Sequence, residues 1–231
     1  MSRTTYKSDS RIRTVAAVAV FCALAYVACV VFHFRASFLT FDLKDAVMTV
    51  GAMLFGPAWG FAMVLVVALI EMLTVSTTGL YGFVMNVLAS ASFVCVASFI
   101  YTRRRTMKGA IAGTLAAIAA MTGVMMLANL IITPFYMGAS SADVARLIPT
   151  LLLPFNLTKV VFNAALVFIL YKPIAAALRR AGFASQTVGS AAPQPSQKTR
   201  GLGITVTVAL IVAAAALVFF FLVLHGSVTV G

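Results

Sequence analysis

Asn156, Lys159 and Asn163 are spaced i, i+3, i+7 in an otherwise apolar stretch. On a helix that spacing puts two carboxamides and one ammonium on a single face. Such groups can hydrogen-bond hydroxyls and carbonyls of a polar ligand. In hydrocarbon they are costly and therefore informative. Asn129 shares a helix face with Thr133 at i+4. Asn86 and Glu71 complete a set of isolated polar residues in apolar runs. A single buried Asn is equally well explained as a link between two helices. A lone ammonium needs several partners, so Lys159 is the stronger mark of a site. Glu71 could serve as its counter-ion or snorkel outward, and the latter is the favoured reading.

The elements that position these groups follow from composition. The chain has 231 residues, 62% apolar and 10% charged, with a mean hydropathy of +1.07. A soluble domain is about half apolar and a quarter charged. An ordinary soluble enzyme and a disordered chain are both excluded. The net charge of +12 does not point to nucleic acid, because the basic residues cluster between apolar runs as topology signals. Cys22, Cys29 and Cys95 lack a metal-binding spacing, and His33 and His225 are far apart, so no metal site is expected.

The apolar runs predict helices at 15–34, about 43–55, about 58–76, 83–101, about 109–135, 149–171 continuing towards Arg180, and 202–224. Gly56-Pro57 divides the second run into two helices. The basic cluster Arg103-Arg104-Arg105 with Lys108 belongs inside, as does the N-terminus, so an even number of crossings must separate them. Thirteen of the 17 basic residues then fall inside, with Arg35, Lys44 and Arg146 outside. An outer loop carries Asp143 and Arg146. The expected organisation is a cytoplasmic N-terminus (1–14), a six-helix membrane domain (15–181), a cytoplasmic linker rich in Gly, Ser, Gln and Pro (182–201), a further transmembrane helix (202–224) and an external tail (225–231). The fold class is an all-α polytopic membrane protein, N-terminus inside and C-terminus outside.

With that threading, Asn156 lies about 10 Å and Lys159 about 15 Å below the outer surface, and Asn129 about 9 Å. Glu71, Asn86, Asn129, Asn156 and Lys159 thus gather in the outer half of the bilayer. This describes an outward-facing cavity with a sealed floor rather than a pore. Phe38-Leu-Thr-Phe-Asp-Leu-Lys-Asp45 is external and ends at a helix start. It reads either as a lid over a planar ligand or as a cap in which Asp42 or Asp45 closes the helix N-terminus. Phe34, Tyr81, Phe135, Tyr136 and Phe155 would suit a flat ring, though most read as an interfacial belt. No P-loop, H-E-x-x-H or G-x-S-x-G motif occurs, so no catalytic residue is assigned and energy for transport would come from a partner.

These signals resemble the substrate-binding S components of energy-coupling factor (ECF) transporters, in particular the riboflavin-binding (RibU) branch. The resemblance rests on Phe38–Asp45, Phe55-Gly-Pro-Ala-Trp-Gly60, Met85–Phe93, Arg103–Gly109, Asn129 through Pro134-Phe-Tyr136, and Leu153-Pro-Phe-Asn-Leu-Thr-Lys159. It implies a six-helix bundle in a bacterial cytoplasmic membrane that captures riboflavin from outside. A transmembrane coupling (T) component and two ATP-binding subunits would drive passage inward. Riboflavin would be the transported ligand, with no cofactor. The resemblance assigns Asn129, Asn156 and Lys159 to the ribityl chain and ring edges and Leu39, Thr40, Phe41 and Asp42 to the ring; Asn86, from the polar cluster, completes the candidate binding set. It assigns partner docking to Ala16, Ala19 and Ala23 on the first helix. Lys44 departs from the small or proline residue expected there, and the seventh helix exceeds the six-helix plan. Alternatives are another vitamin or a flavin such as FMN, an intramembrane enzyme using Glu71 and Lys159, or a structural membrane protein.

Overall fold

The computed structural model describes residues 3–32, 34–37, 39–180, 199–224 and 227–228. Among them are eight α-helices, one π-helical turn and three very short strands. Among the described residues six segments are long and apolar enough to cross a membrane: Arg11–Val31, Pro57–Thr74, Gly79–Arg103, Met107–Met137, Ser141–Leu178 and Gly203–Leu222.

The first helix, α1 (Arg3–Val31), begins well before the expected start and ends just short of the expected end. The chain then makes a hairpin of β1 (Phe34–Ala36) and β2 (Leu39–Phe41), with Phe34 opposite Phe41 and Arg35 opposite Thr40. Helix α2 (Lys44–Phe55) follows. Every residue from Lys44 to Leu54 is buried, because α2 packs against α1, α3, α4 and α7 at once. It matches the expected bounds. At 12 residues it is about 18 Å long, short of the roughly 30 Å of a bilayer core. It is too short to cross alone, and the expected crossing by this segment is not among the six spans.

Gly56 ends α2 at φ 105°, a conformation that disfavours a side chain, and Pro57 opens α3 (Pro57–Thr74). One turn on, Gly60 lets α2 and α3 touch: a Cβ there would fall 2.6 Å from the Ala52 Cβ and 3.1 Å from Val94. Gly60→Val is therefore expected to destabilise the bundle by about 1–3 kcal/mol through overpacking. A drop in melting temperature in detergent checks this, and an unchanged value would mean the α2–α3 contact is looser than described.

Helix α4 (Gly79–Arg103) leads through a tight turn to α5 (Met107–Met137), which Thr106 caps by accepting the Gly109 N–H at 3.1 Å. Left-handed Gly138 ends α5. The expected outer loop around Asp143 and Arg146 is instead a short helix, α6 (Ser141–Leu147), capped by Ser140. It runs through the π-turn Ile148–Leu152 into α7 (Leu153–Arg180). Pro149 and Pro154 lack the N–H that a regular helical ladder requires, which accounts for the wide turn between them.

Helix α8 (Thr199–Leu222) packs along α7. The expected linker lies almost wholly outside the described residues, and α8 starts within its last three positions. The expected tail is described only at β3 (Ser227–Val228), which pairs antiparallel with β1 and gives the strand order β2-β1-β3. The all-α reading holds, with one small addition, a three-stranded patch joining the hairpin after α1 to the segment after α8. Two apolar cores result. The larger surrounds α2, and the smaller holds Phe41, Phe155, Phe162 and Phe220 against α8.

Candidate functional site

The ends of α3 to α5, the start of α7 and the hairpin enclose a cavity of about 190 Å³. From α7 it receives Phe155, Asn156 and Lys159. From α5 it receives Asn129 and Tyr136, with Met125 and Met121 one and two turns deeper. Glu71 stands on α3, Tyr81 and Asn86 on α4, and Leu39 and Thr40 on β2. Ser76, Thr77 and Thr78, from the turn between α3 and α4, line it at the loop end. Met121, Ala89 and Lys159 are its deepest residues along their helices, and apolar core lies beyond them.

Lys159 is buried, and its Nζ donates to Asp42 Oδ2 at 2.9 Å and to the Thr40 carbonyl at 3.1 Å. Asn163, one turn on, donates to the Asp42 carbonyl at 3.0 Å and accepts the Ala46 N–H at 2.9 Å. That last bond satisfies an open amide in the first turn of α2, a task the N-cap residue Leu43 cannot perform. Asp42 still contributes locally by accepting the Lys44 N–H at 3.3 Å. Asp45 instead takes a 2.5 Å hydrogen bond from Ser90 on α4. The face predicted from i, i+3, i+7 spacing thus grips the hairpin and α2 from one side.

A second ammonium sits behind the first. Lys44 is fully buried, 3.5 Å from Asp42 Oδ2 and hydrogen-bonded to Glu71. Glu71 therefore does not snorkel outward, and the counter-ion of Lys159 is Asp42. Two lysines and two carboxylates close a buried network in which no charge is left alone. Burial by itself would raise the Asp42 carboxyl; Lys159 and Lys44 outweigh it and hold Asp42 below the usual carboxylate range. Cys29, Asp42 and Glu71 bring three donor atoms within 4.8 Å of one another. Both carboxylates are engaged by ammonium groups, so the chemistry of that trio is ionic pairing rather than metal ligation.

The carboxamides are held along their own helices. Asn156 donates to the Leu152 carbonyl at 2.8 Å. Asn129 donates to the Met125 carbonyl at 2.7 Å and accepts from Thr133 at 2.9 Å. Each uses only part of its four-bond capacity in these contacts.

Of the residues singled out in sequence, Leu39, Thr40, Asn86, Asn129, Asn156 and Lys159 converge on this cavity. Phe41 and Asp42 are not among its lining residues. Phe41 turns into the aromatic cluster beside α8, and Asp42 lies behind Lys159 as its ion partner. Ala16, Ala19 and Ala23 lie exposed on α1, while Ala17, Phe21 and Ala25 face the bundle. Sequence reasoning missed the Lys44–Glu71 pair. Its signal was available as two opposite charges beside apolar runs, which must find partners when buried.

The chain matches the family described as "ECF transporter, substrate-specific component" over residues 13–171. It is similar to the riboflavin transporter RibU of Staphylococcus aureus (strain TCH60), at 31% identity over 153 residues, covering 64% of this chain and 80% of that one. It is also similar to a structure described as the S component of a bacterial ECF transporter, with a TM-score of 0.63 and 27% identity, covering 74% of this chain and 99% of that one. Both the family match and the buried polar constellation fall within α1 to α7. The chain belongs to the substrate-specific components of ECF transporters, multi-pass proteins of the cell membrane.

Proposed function

We propose that this protein captures riboflavin at the outer face of a bacterial cytoplasmic membrane and releases it inward when an energy-coupling module acts on it. The observation that carries the reading is a single cavity faced by the Lys159 ammonium, the Asn129 and Asn156 carboxamides and the apolar Met121, Met125 and Phe155. Polar groups suit the ribityl hydroxyls and ring carbonyls, and the thioethers and aromatic rings suit a flat tricycle. The RibU relative supports the same ligand. At about 190 Å³ the cavity is smaller than the roughly 300–1,000 Å³ of ligand pockets, so binding requires the cavity to expand.

The basic clusters support a threading with the N-terminus inside and the cavity and the end of α8 outside. The partners are one transmembrane T component and two ATP-binding subunits. Exposed Ala16, Ala19 and Ala23 on α1 offer the close helix approach that docking to the T component needs.

Titrating flavin-free protein with riboflavin is expected to quench flavin fluorescence with saturation at one ligand per chain. Absence of quenching at micromolar protein refutes the reading. FMN is expected to bind at least about ten-fold more weakly, because among the described residues Lys159 is the only cation lining the cavity and is already committed to Asp42. Equal or tighter FMN binding would make the phosphorylated flavin the ligand.

A further inference from the structure

The family match ends at residue 171, before α8 begins, so nothing in it accounts for that helix. Where α8 packs is specific. Phe220, near its end, is fully buried. Its ring lies 4.7 Å from Phe41 and 6.2 Å from Phe34, centroid to centroid, so it contacts both strands of the hairpin. Phe155 and Phe162 of α7 complete the socket, at 6.3 and 5.3 Å from Phe41. Just beyond α8, β3 adds backbone pairing along β1, with Val228 opposite Phe34 and Ser227 opposite Arg35. The hairpin is thus held by α8 and by the segment that follows it.

Successive residues of an extended chain point to opposite faces. Phe41 points into the α8 socket. Its neighbours serve the other face: the Thr40 carbonyl and the Asp42 carboxylate both bind Lys159. Thr40 also lines the cavity, while Leu39, on the Phe41 side, both lines the cavity and packs against the α8 cluster. Fixing the Phe41 ring therefore fixes the backbone that meets the ligand and the ammonium.

We propose that α8 and β3 form a latch, in which Phe220 clamps Phe41 and β3 splints β1, positioning the Leu39–Asp42 segment against Lys159 and slowing ligand release. Phe220 is a positioning residue, since it touches the ligand loop and not the cavity. Only the ligand readout below rests on the riboflavin reading.

The test uses the full-length protein in nanodiscs, comparing Phe220→Ala, the milder Phe220→Leu and Val228→Pro, which removes a strand N–H. The lipid-facing Leu222→Ala is the control. In ligand-free protein, backbone amide exchange over residues 39–43 should accelerate at least about ten-fold in Phe220→Ala and less in Phe220→Leu. Exchange over residues 125–129 of α5 should stay as in the wild type. In stopped-flow fluorescence the riboflavin off-rate should rise about ten-fold while the on-rate changes by no more than about three-fold. If Phe220→Ala does not fold, Phe220→Leu and Val228→Pro decide by the same two readouts. Exchange that is unchanged at 39–43, or that rises equally at 125–129, overturns the latch. An off-rate that stays put despite selective loosening of 39–43 overturns its role in release. A wild type that quenches no flavin refutes riboflavin as the ligand and leaves the exchange result to judge the latch.

Discussion

Replacing Lys159 by methionine is expected to weaken riboflavin capture by at least about 10- to 100-fold and to lower the melting temperature, and adding Asp42→Asn is expected to restore only the melting temperature. The Lys159 ammonium neutralises Asp42 at 2.9 Å, holds the Thr40 carbonyl at 3.1 Å and faces the cavity. Without it, buried Asp42 and Glu71 share Lys44 as their nearest cation. Removing one partner of a buried pair costs about 3–5 kcal/mol, because the other charge stays in a low dielectric. Asparagine at 42 removes that charge and can still accept the Lys44 N–H. The ligand contact is not regained. Losing one charge-assisted hydrogen bond weakens binding about 10- to 100-fold, and a displaced Thr40 carbonyl adds to this. Thermal melting and flavin titration on the same samples separate the two roles. A double variant that binds riboflavin as the wild type does would make Lys159 a purely structural cation.

Much of this arrangement is legible in the sequence, for physical reasons that differ from place to place. A span needs a run of apolar residues, and the runs containing α3, α4, α5 and α7 announce themselves by length. Gly56-Pro57 marks a break because only glycine tolerates the φ of 105° found there and proline suits the first turn of the next helix. The polar face of α7 is legible because helical periodicity is local. Pairing is not local. Lys44 and Glu71 are 27 residues apart, and nothing in their immediate neighbours says that one will neutralise the other. The same holds for Asp42, whose partner lies 117 residues away. The resemblance assigns Phe41 to the ligand, whereas its ring packs into the cluster beside α8, a contact set by residues far along the chain. The strand pairing of β1 with β3 involves two residues on each side, too few to show an alternating pattern. Helix α6 was legible in part: Ser140 followed three residues later by Asp143 is a helix-start signal that the polar character of the segment obscured.

The Lys44–Glu71 pair yields the second large effect. Lys44→Met and Glu71→Leu are each expected to lower stability by about 3–5 kcal/mol, and the double variant is expected to recover most of that loss. Each single change strands a buried charge, whereas the double change removes both and leaves Asp42 paired with Lys159. Methionine and leucine fill comparable space among the apolar groups around them. Ligand binding separates the two residues further. Glu71 lines the cavity, but Lys44 does not. A double variant that melts like the wild type yet binds riboflavin more weakly identifies the Glu71 carboxylate as an acceptor for the ligand, with Lys44 holding it in place. If both single variants melt as the wild type does, Glu71 reaches water after all and the buried network described here does not form. The pair matters beyond its own energy, because Lys44 and Asp42 flank a single residue at the turn into α2. Two ammoniums and two carboxylates meeting there tie α3, α7 and the ligand loop to one point. A charge lost from any of the four is therefore expected to alter the cavity as well as the fold.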